Sequence, residues 1–451
     1  MTSPEVLEVF TVYQRLAPFT ESLQRQSRRR WRRGIYSVPV VLWLMMLQRL
    51  QPKGTLSQTV QWLRENGAES WLAPCKRVRE QRISASTGGY CQARTKLPTL
   101  VVQQVSEQMQ ERLRTQVSEA WPGLGKPVFV VDGSSLELVH TRELVKTFPP
   151  AENQHGGAHW PVLRIVVMHD LSSGMAEQPC WGAMYGKEAV SEQALAEQAI
   201  ERLPEGAVVL GDRNFGVFWM AYVANQRRHP VLLRLTEVRA RKLYGGPISL
   251  EGDHPVTWTT SRWDGGKQRS WPAEANVKGR LIAWRVGRGK SKQWLYLFTD
   301  LDLPPEQVVA LYGQRWHIET DLRSLKSTVR LQQISAKTLP MFEKELRMAI
   351  SAYNLVRTVM CLAARRAGLQ PRQLSFSFVQ DVVNAAWPRL VAATSRQQHD
   401  AELERVLAFA ASYKLPKRRR SQTYPRAVWR HRSPFPARKP NSPVITYVSD
   451  N

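Results

Sequence analysis

The spacing of apolar residues changes period along this chain, and that change narrows the folds open to it. Up to about residue 115 apolar positions recur every three or four residues, in EVLEVFTVYQRLAPF, VPVVLWLMMLQRL, LSQTVQWLREN and TLVVQQVSEQMQERLRTQV, the repeat of helices that bury one stripe. From about Lys126 short apolar runs and period-two alternation take over. PVFVVDGSSLELVH holds a buried strand, and VLRIVVMHDLSSGMAEQPCWG reads as a hairpin turning at Ser172 to Gly174. SEQALAEQAIERL follows as a helix capped by Ser191, then the strand AVVLGD, the helix FGVFWMAYVANQR and the strand HPVLLRLT. Hairpins followed by helix, strand, helix and strand predict an α/β fold, a mixed sheet with helices on its faces.

VTWTTSRW, RLIAWRVGRG and KQWLYLFTD then alternate in the strand manner, an all-strand insertion ahead of the next helix. From Pro340 the helical period returns, with Leu346, Ile350, Tyr353 and Met360 on one face. The last 40 or so residues are basic and Pro-rich, and are expected to be flexible unless bound to nucleic acid. The expected organisation is a helical N-terminal DNA-binding region (1–120), a sheet core in two parts (126–236 and 302–337) interrupted by the β-rich insertion (237–301), a helical C-terminal region (338–410) and a basic tail (411–451).

Charge points to the partner. Lysine and arginine number 64 against 38 acids, a net charge of +26, which calls for a polyanion. The longest apolar run, Val38 to Leu47, is well short of the roughly 20 residues that span a bilayer, so no membrane role is expected. QRQSRRRWRRG places Arg28, Arg29, Arg30, Arg32 and Arg33 around Trp31, a density suited to DNA phosphates, and Ser84 to Pro98 suits a second phosphate contact. The four cysteines lie far apart with no CxxC pair, which argues against a zinc site or a disulfide framework. No basic start with an apolar stretch and cleavage site opens the sequence, so a cytoplasmic protein is expected, associated with the bacterial nucleoid when on DNA.

Three acids stand out by context. Asp132 follows the apolar run FVV and Asp212 sits one glycine past AVVL, so both belong near strand ends; a lone Asp after a strand is commonly a turn residue. The third, Glu319, lies in YGQRWHIETDLRSLK. At about 100° per residue, Tyr312, Arg315, Glu319 and Lys326 share a sector of roughly 60° beside the stripe of Leu311, Ile318, Leu322, Leu325 and Val329. The plain alternative is a solvated face braced by i,i+4 ion pairs. In the same projection Asp321 points about 180° away from Tyr312 and is expected to be solvated. In-line phosphodiester cleavage needs an activated nucleophile and a stabilised leaving oxygen, which two divalent ions about 4 Å apart supply. Carboxylates select magnesium or manganese.

DGSS at Asp132, GDRNFG at Asp212, and the spacing Y-x2-R-x3-E-x6-K through Tyr312, Arg315, Glu319 and Lys326 resemble the DDE transposases of the insertion sequence family four, over roughly Pro127 to Lys337. The resemblance implies a ribonuclease H-like core in which Asp132, Asp212 and Glu319 are catalytic and bind two Mg2+, with Mn2+ as a substitute. It implies further that Tyr312, Arg315 and Lys326 hold phosphates of the transposon end, with Trp316 lining the same pocket. A tryptophan of the insertion would stack on a flipped base; Trp258, Trp263 and Trp294 are candidates, with Trp271 and Trp284 in the same stretch. The expected activity is cut-and-paste transposition: end cleavage, a hairpin intermediate and strand transfer. The substrates would be duplex DNA with terminal inverted repeats and a target duplex, engaged by a homodimer because an element has two ends. The competing expectations are a catalytically inactive, transposase-derived DNA-binding regulator and a metal-dependent nuclease of the same fold.

Overall fold

A computed structural model describes residues 35–416 except 52, 67–75, 154–155, 261–271, 273, 288–292 and 394. The chain divides into a body, Met1–Lys414, and a C-terminal segment, Leu415–Asn451, of which only residues 415–416 are described. The arginine cluster 28–33, Trp263 and Trp271 lie outside the described residues.

Eight strands form one sheet: β1 (Val128–Glu137), β2 (Val162–Asp170), β3 (Cys180–Ala183), β4 (Val208–Gly211), β5 (Val231–Leu235), β6 (Gly252–Thr259), β7 (Asn276–Val286) and β8 (Gln293–Thr299). Their spatial order is β3-β2-β1-β4-β5-β8-β7-β6. β1 runs parallel to β4, and β4 to β5, while all other neighbours are antiparallel. The first five strands have the order of a ribonuclease H-like core. The insertion is no separate sheet: β8 pairs with β5, and β7 and β6 extend that edge.

Alternation along the strands divides the core in two. Val128 and Val130 of β1, with Val208, Leu210 and Leu232, join a cluster on one face of the sheet, whereas Phe129, Val131, Val209 and Leu233 join another. Helices α5 (Glu192–Ile200), α6 (Phe218–Gln226) and α7 (Glu237–Tyr244) cover the second face. The first face takes a helical layer built from both ends of the chain: α1 (Val38–Leu50), α2 (Leu56–Asn66), α3 (Gly88–Lys96) and α4 (Thr99–Val117) pack together with α10 (Leu339–Arg366), α11 (Phe376–Ala392) and α12 (Arg396–Ser412). Apolar all round its axis, α1 buries every residue except Pro39. Leu346, Ile350, Tyr353 and Met360 of α10 are all buried, in keeping with their shared spacing. Two buried arginines tie the layer together, because Glu345 of α10 accepts from Arg49 of α1 at 2.6 Å and from Arg94 of α3. Arg94 is thereby turned inward, away from the phosphate contact its segment suggested. Among the described residues no helix is long and apolar enough to cross a membrane.

Candidate active site

Strand register brings the aspartates together. Val130 stands beside Leu210, and Leu210 beside Leu232, so two residues further on Asp132, Asp212 and Arg234 align across β1, the end of β4 and β5. Alternation turns Asp132 and Arg234 toward the face that carries Val130 and Leu232, and Asp212, one residue past the end of β4, stands close enough for its charge to act on Asp132. Asp132 lies halfway along β1, at the point where β1 loses its parallel partner but stays paired with β2. Gly133 N–H donates to Asp132 Oδ1 at 2.8 Å, and Asn214 N–H donates to Asp212 Oδ1 at 2.8 Å. Burial pushes the Asp132 carboxyl up to about 6. The charges of Asp212 and Glu192 act in the same direction, against the Gly133 N–H and Arg315.

The helix expected to run from Tyr312 to Lys326 is broken. α8 (Pro305–Gly313) ends in a turn at Gln314 and Arg315, α9 (Trp316–Arg323) is a separate eight-residue helix, and Ser324–Thr328 is a π turn. Across the break the backbone bonds tighten, with Arg315 N–H donating to Tyr312 O and Ile318 N–H to Arg315 O, both at 3.0 Å. The side chains nevertheless converge. Tyr312 is buried, which raises its phenol, while Arg315 and Arg234 oppose the shift and Asp212 adds to it. Lys326 donates to the Ser134 hydroxyl on β1; burial lowers its ammonium, and the Asp132 charge opposes that. Trp316 stands 67% exposed.

Glu319 takes a different position. It is exposed and pairs with Arg315 at 3.3 Å. Among the described residues no three of the Asp, Glu, His and Cys side chains stand close enough together to hold a metal. Asp132 and Asp212 fit a hard cation, as paired oxygen donors whose mutual repulsion a divalent ion would relieve. Glu319, held on Arg315, does not join them in this arrangement.

Other expected residues lie elsewhere. Trp258 meets Phe218 and Phe298 edge-on, and Trp294 stacks on Tyr296 beneath Arg285; both pack in the cluster on the face opposite Asp132. Trp284 packs against the cluster on the acids' face. Asp321, expected in solvent, is 1% exposed: both its carboxylate oxygens lie 2.7 Å from Arg372 Nη1, and Arg357 stands at 3.4 Å. Asp321 lies three residues after Ile318 and next to Leu322, so it borders the buried stripe of α9, and two distant arginines supply the countercharge.

Sequence reasoning missed Arg234, Glu192 and Asn214. Glu192, in the first turn of α5, lies against β1, where a Cβ on Gly133 would fall 2.6 Å from its carboxyl carbon and make the side chain shift. It also accepts from the Asn214 amide, and Gln193 Nε2 donates to Asn214 O at 3.1 Å, gripping the turn after Asp212. Arg234 left one signal, a charge inside the apolar strand HPVLLRLT.

The family described as Transposase DDE domain matches this chain over residues 123–355, a span that takes in all three acids. The chain is also similar to the transposase InsG for insertion sequence element IS4 of Escherichia coli (strain K12), 28% identical over 353 residues, which cover 73% of this chain and 76% of that protein.

Proposed function

This chain belongs to the DDE transposases of the IS4 kind, and from that premise we propose that it excises and inserts an insertion sequence by cut-and-paste transposition, with Asp132, Asp212 and Glu319 as its catalytic acids. DDE transposase domains generally depend on divalent metal ions; here magnesium is proposed, with manganese as a substitute. The observation that carries the reading is the in-register pair Asp132 and Asp212, with Arg234, Arg315, Tyr312 and Lys326 gathered around it.

When bound, the ions would activate the attacking oxygen and stabilise the leaving one. Asp132 and Asp212 would hold them, and Glu319 would complete the set. The protein's own cations would position the DNA: Arg315 and Arg234 would grip phosphates flanking the scissile bond, Lys326 would be steadied by Ser134, and Tyr312 would orient the same phosphate from its buried base. The exposed Trp316 ring offers a surface on which a base can stack. A freed 3′ hydroxyl attacking the opposite strand would leave a hairpin end, whose reopening precedes joining to target DNA. Two ends require two active sites, so a homodimer on terminal inverted repeats is the proposed assembly. Residues 1–120 and the basic tail 411–451 are proposed to hold the flanking DNA, with the net charge of +26 in support.

The test uses a duplex carrying the terminal repeat that borders this gene. Asp132→Ala, Asp212→Ala and Glu319→Ala are each expected to abolish metal-dependent cleavage while binding stays near wild type. Undiminished cleavage by any one removes that acid from the assignment, and intact cleavage by all three ends the proposal.

A further inference from the structure

We propose that Asp321, clamped by Arg357 and Arg372, is the positioning residue that fixes the helix from which Glu319, released from Arg315, would reach the paired aspartates. The inference rests on Glu319 being an active-site acid. α9 has eight residues between a broken turn and a π turn, too few to hold a helix by its own hydrogen bonds, so tertiary contacts must fix its place. Among those contacts Asp321 is the buried charge of α9. Residues two apart on a helix point about 200° apart, so a clamp on Asp321 sets the heading of Glu319 on the opposite side.

The clamp is itself anchored to the sheet. Arg372 Nη2 donates to Leu171 O at 3.1 Å, and Arg357 Nε donates to Ser173 O at 3.0 Å. Both carbonyls lie in the turn after β2, the strand that pairs with β1 from Phe129 to Glu137. Tyr353 hydroxyl donates to Gly174 O at 2.8 Å, and Asn354 closes two 2.8 Å bonds with the backbone of Ala176. Gly174 adopts φ +73°, and a Cβ there would fall 1.5 Å from Arg357 Nη2, so the turn leaves room for this guanidinium alone. One rigid chain of contacts therefore runs from the strand beside Asp132, through the turn and the two arginines, to the helix that carries Glu319.

The experiment compares full-length wild type, Asp321→Asn and Glu319→Gln for binding to the terminal-repeat duplex, for single-turnover cleavage at saturating duplex and magnesium, and for hydrogen exchange without DNA. Asp321→Asn is expected to bind the duplex within threefold of wild type and to cleave about a hundredfold more slowly, the effect of misplacing a catalytic group by about 1 Å. It should also exchange faster in a peptide covering Trp316 to Arg323 while a peptide covering Val128 to Val131 is unchanged. Cleavage within threefold of wild type overturns the proposal, and so does lost cleavage with unchanged exchange in α9, because the defect would then lie elsewhere. If Asp321→Asn does not fold, Arg372→Gln, which leaves Asp321 paired with Arg357, is judged by the same three readouts. Normal cleavage by Glu319→Gln would instead remove the premise and leave Asp321 a structural anchor.

Discussion

Replacing Asp132 by asparagine should stabilise the protein while it abolishes cleavage. Burial, with Asp212 and Glu192 nearby, raises the Asp132 carboxyl from 3.8 to about 6, so its ionised form is disfavoured in the folded state. Each pKa unit corresponds to about 1.4 kcal/mol, so the shift amounts to roughly 3 kcal/mol, reduced to about 1–3 kcal/mol because the carboxylate keeps some contact with water. The sign follows from linkage. A folded-state value above the unfolded one means that the penalty is fully present above pH 6, shrinks as Asp132 takes up its proton, and is gone below the unfolded value near 3.8. Asp132→Asn, neutral at every pH, should therefore exceed wild type by about 1–3 kcal/mol at pH 8 and match it near pH 4. Denaturant unfolding in chelator at a series of pH values measures the difference. Added magnesium should stabilise wild type at pH 8 and do less for the variant. A variant no more stable than wild type at pH 8, or a gain that does not change with pH, would refute the account of Asp132 as an acid held in an unfavourable place for its chemistry.

Three further outcomes are expected. Glu345→Ala leaves Arg49 and Arg94 buried without their carboxylate and should destabilise by about 3–5 kcal/mol in denaturant unfolding; a loss under 1 kcal/mol would show that the triad contributes little. Gly174→Ala must displace Arg357 and strain a left-handed backbone, so it should lower stability by at least about 2 kcal/mol and slow cleavage along with it; a variant with wild-type stability would contradict the close approach at that turn. Trp316→Ala should change stability by less than about 0.5 kcal/mol, since the ring is exposed, yet weaken binding of the terminal-repeat duplex by about 1–3 kcal/mol; unchanged affinity would exclude a stacking role.

The fold and the candidate acids were legible because both are written in local patterns. The period-two and period-3.6 runs located β1, β4, β5, α1, α4 and α10, and Ser191 caps α5 by accepting from Ala194 N–H at 3.1 Å. A spaced signature and two acids after apolar runs singled out Asp132, Asp212 and Glu319 without any knowledge of which strands are neighbours. What those patterns do not contain is pairing. That Asp132, Asp212 and Arg234 align depends on the register of three strands far apart in sequence, and that β6 to β8 extend the main sheet depends on which edge was left open. Asp321 shows the limit most clearly. It points away from the signature residues and reads as solvated, yet it borders the buried stripe beside Ile318 and Leu322, and the charge that makes its burial tolerable comes from Arg372, 51 residues away. Periodicity records which face of a segment is apolar, and so by itself it determined the elements and the candidate acids. Whether a charge on such a segment is buried depends on a countercharge that only the tertiary structure brings beside it.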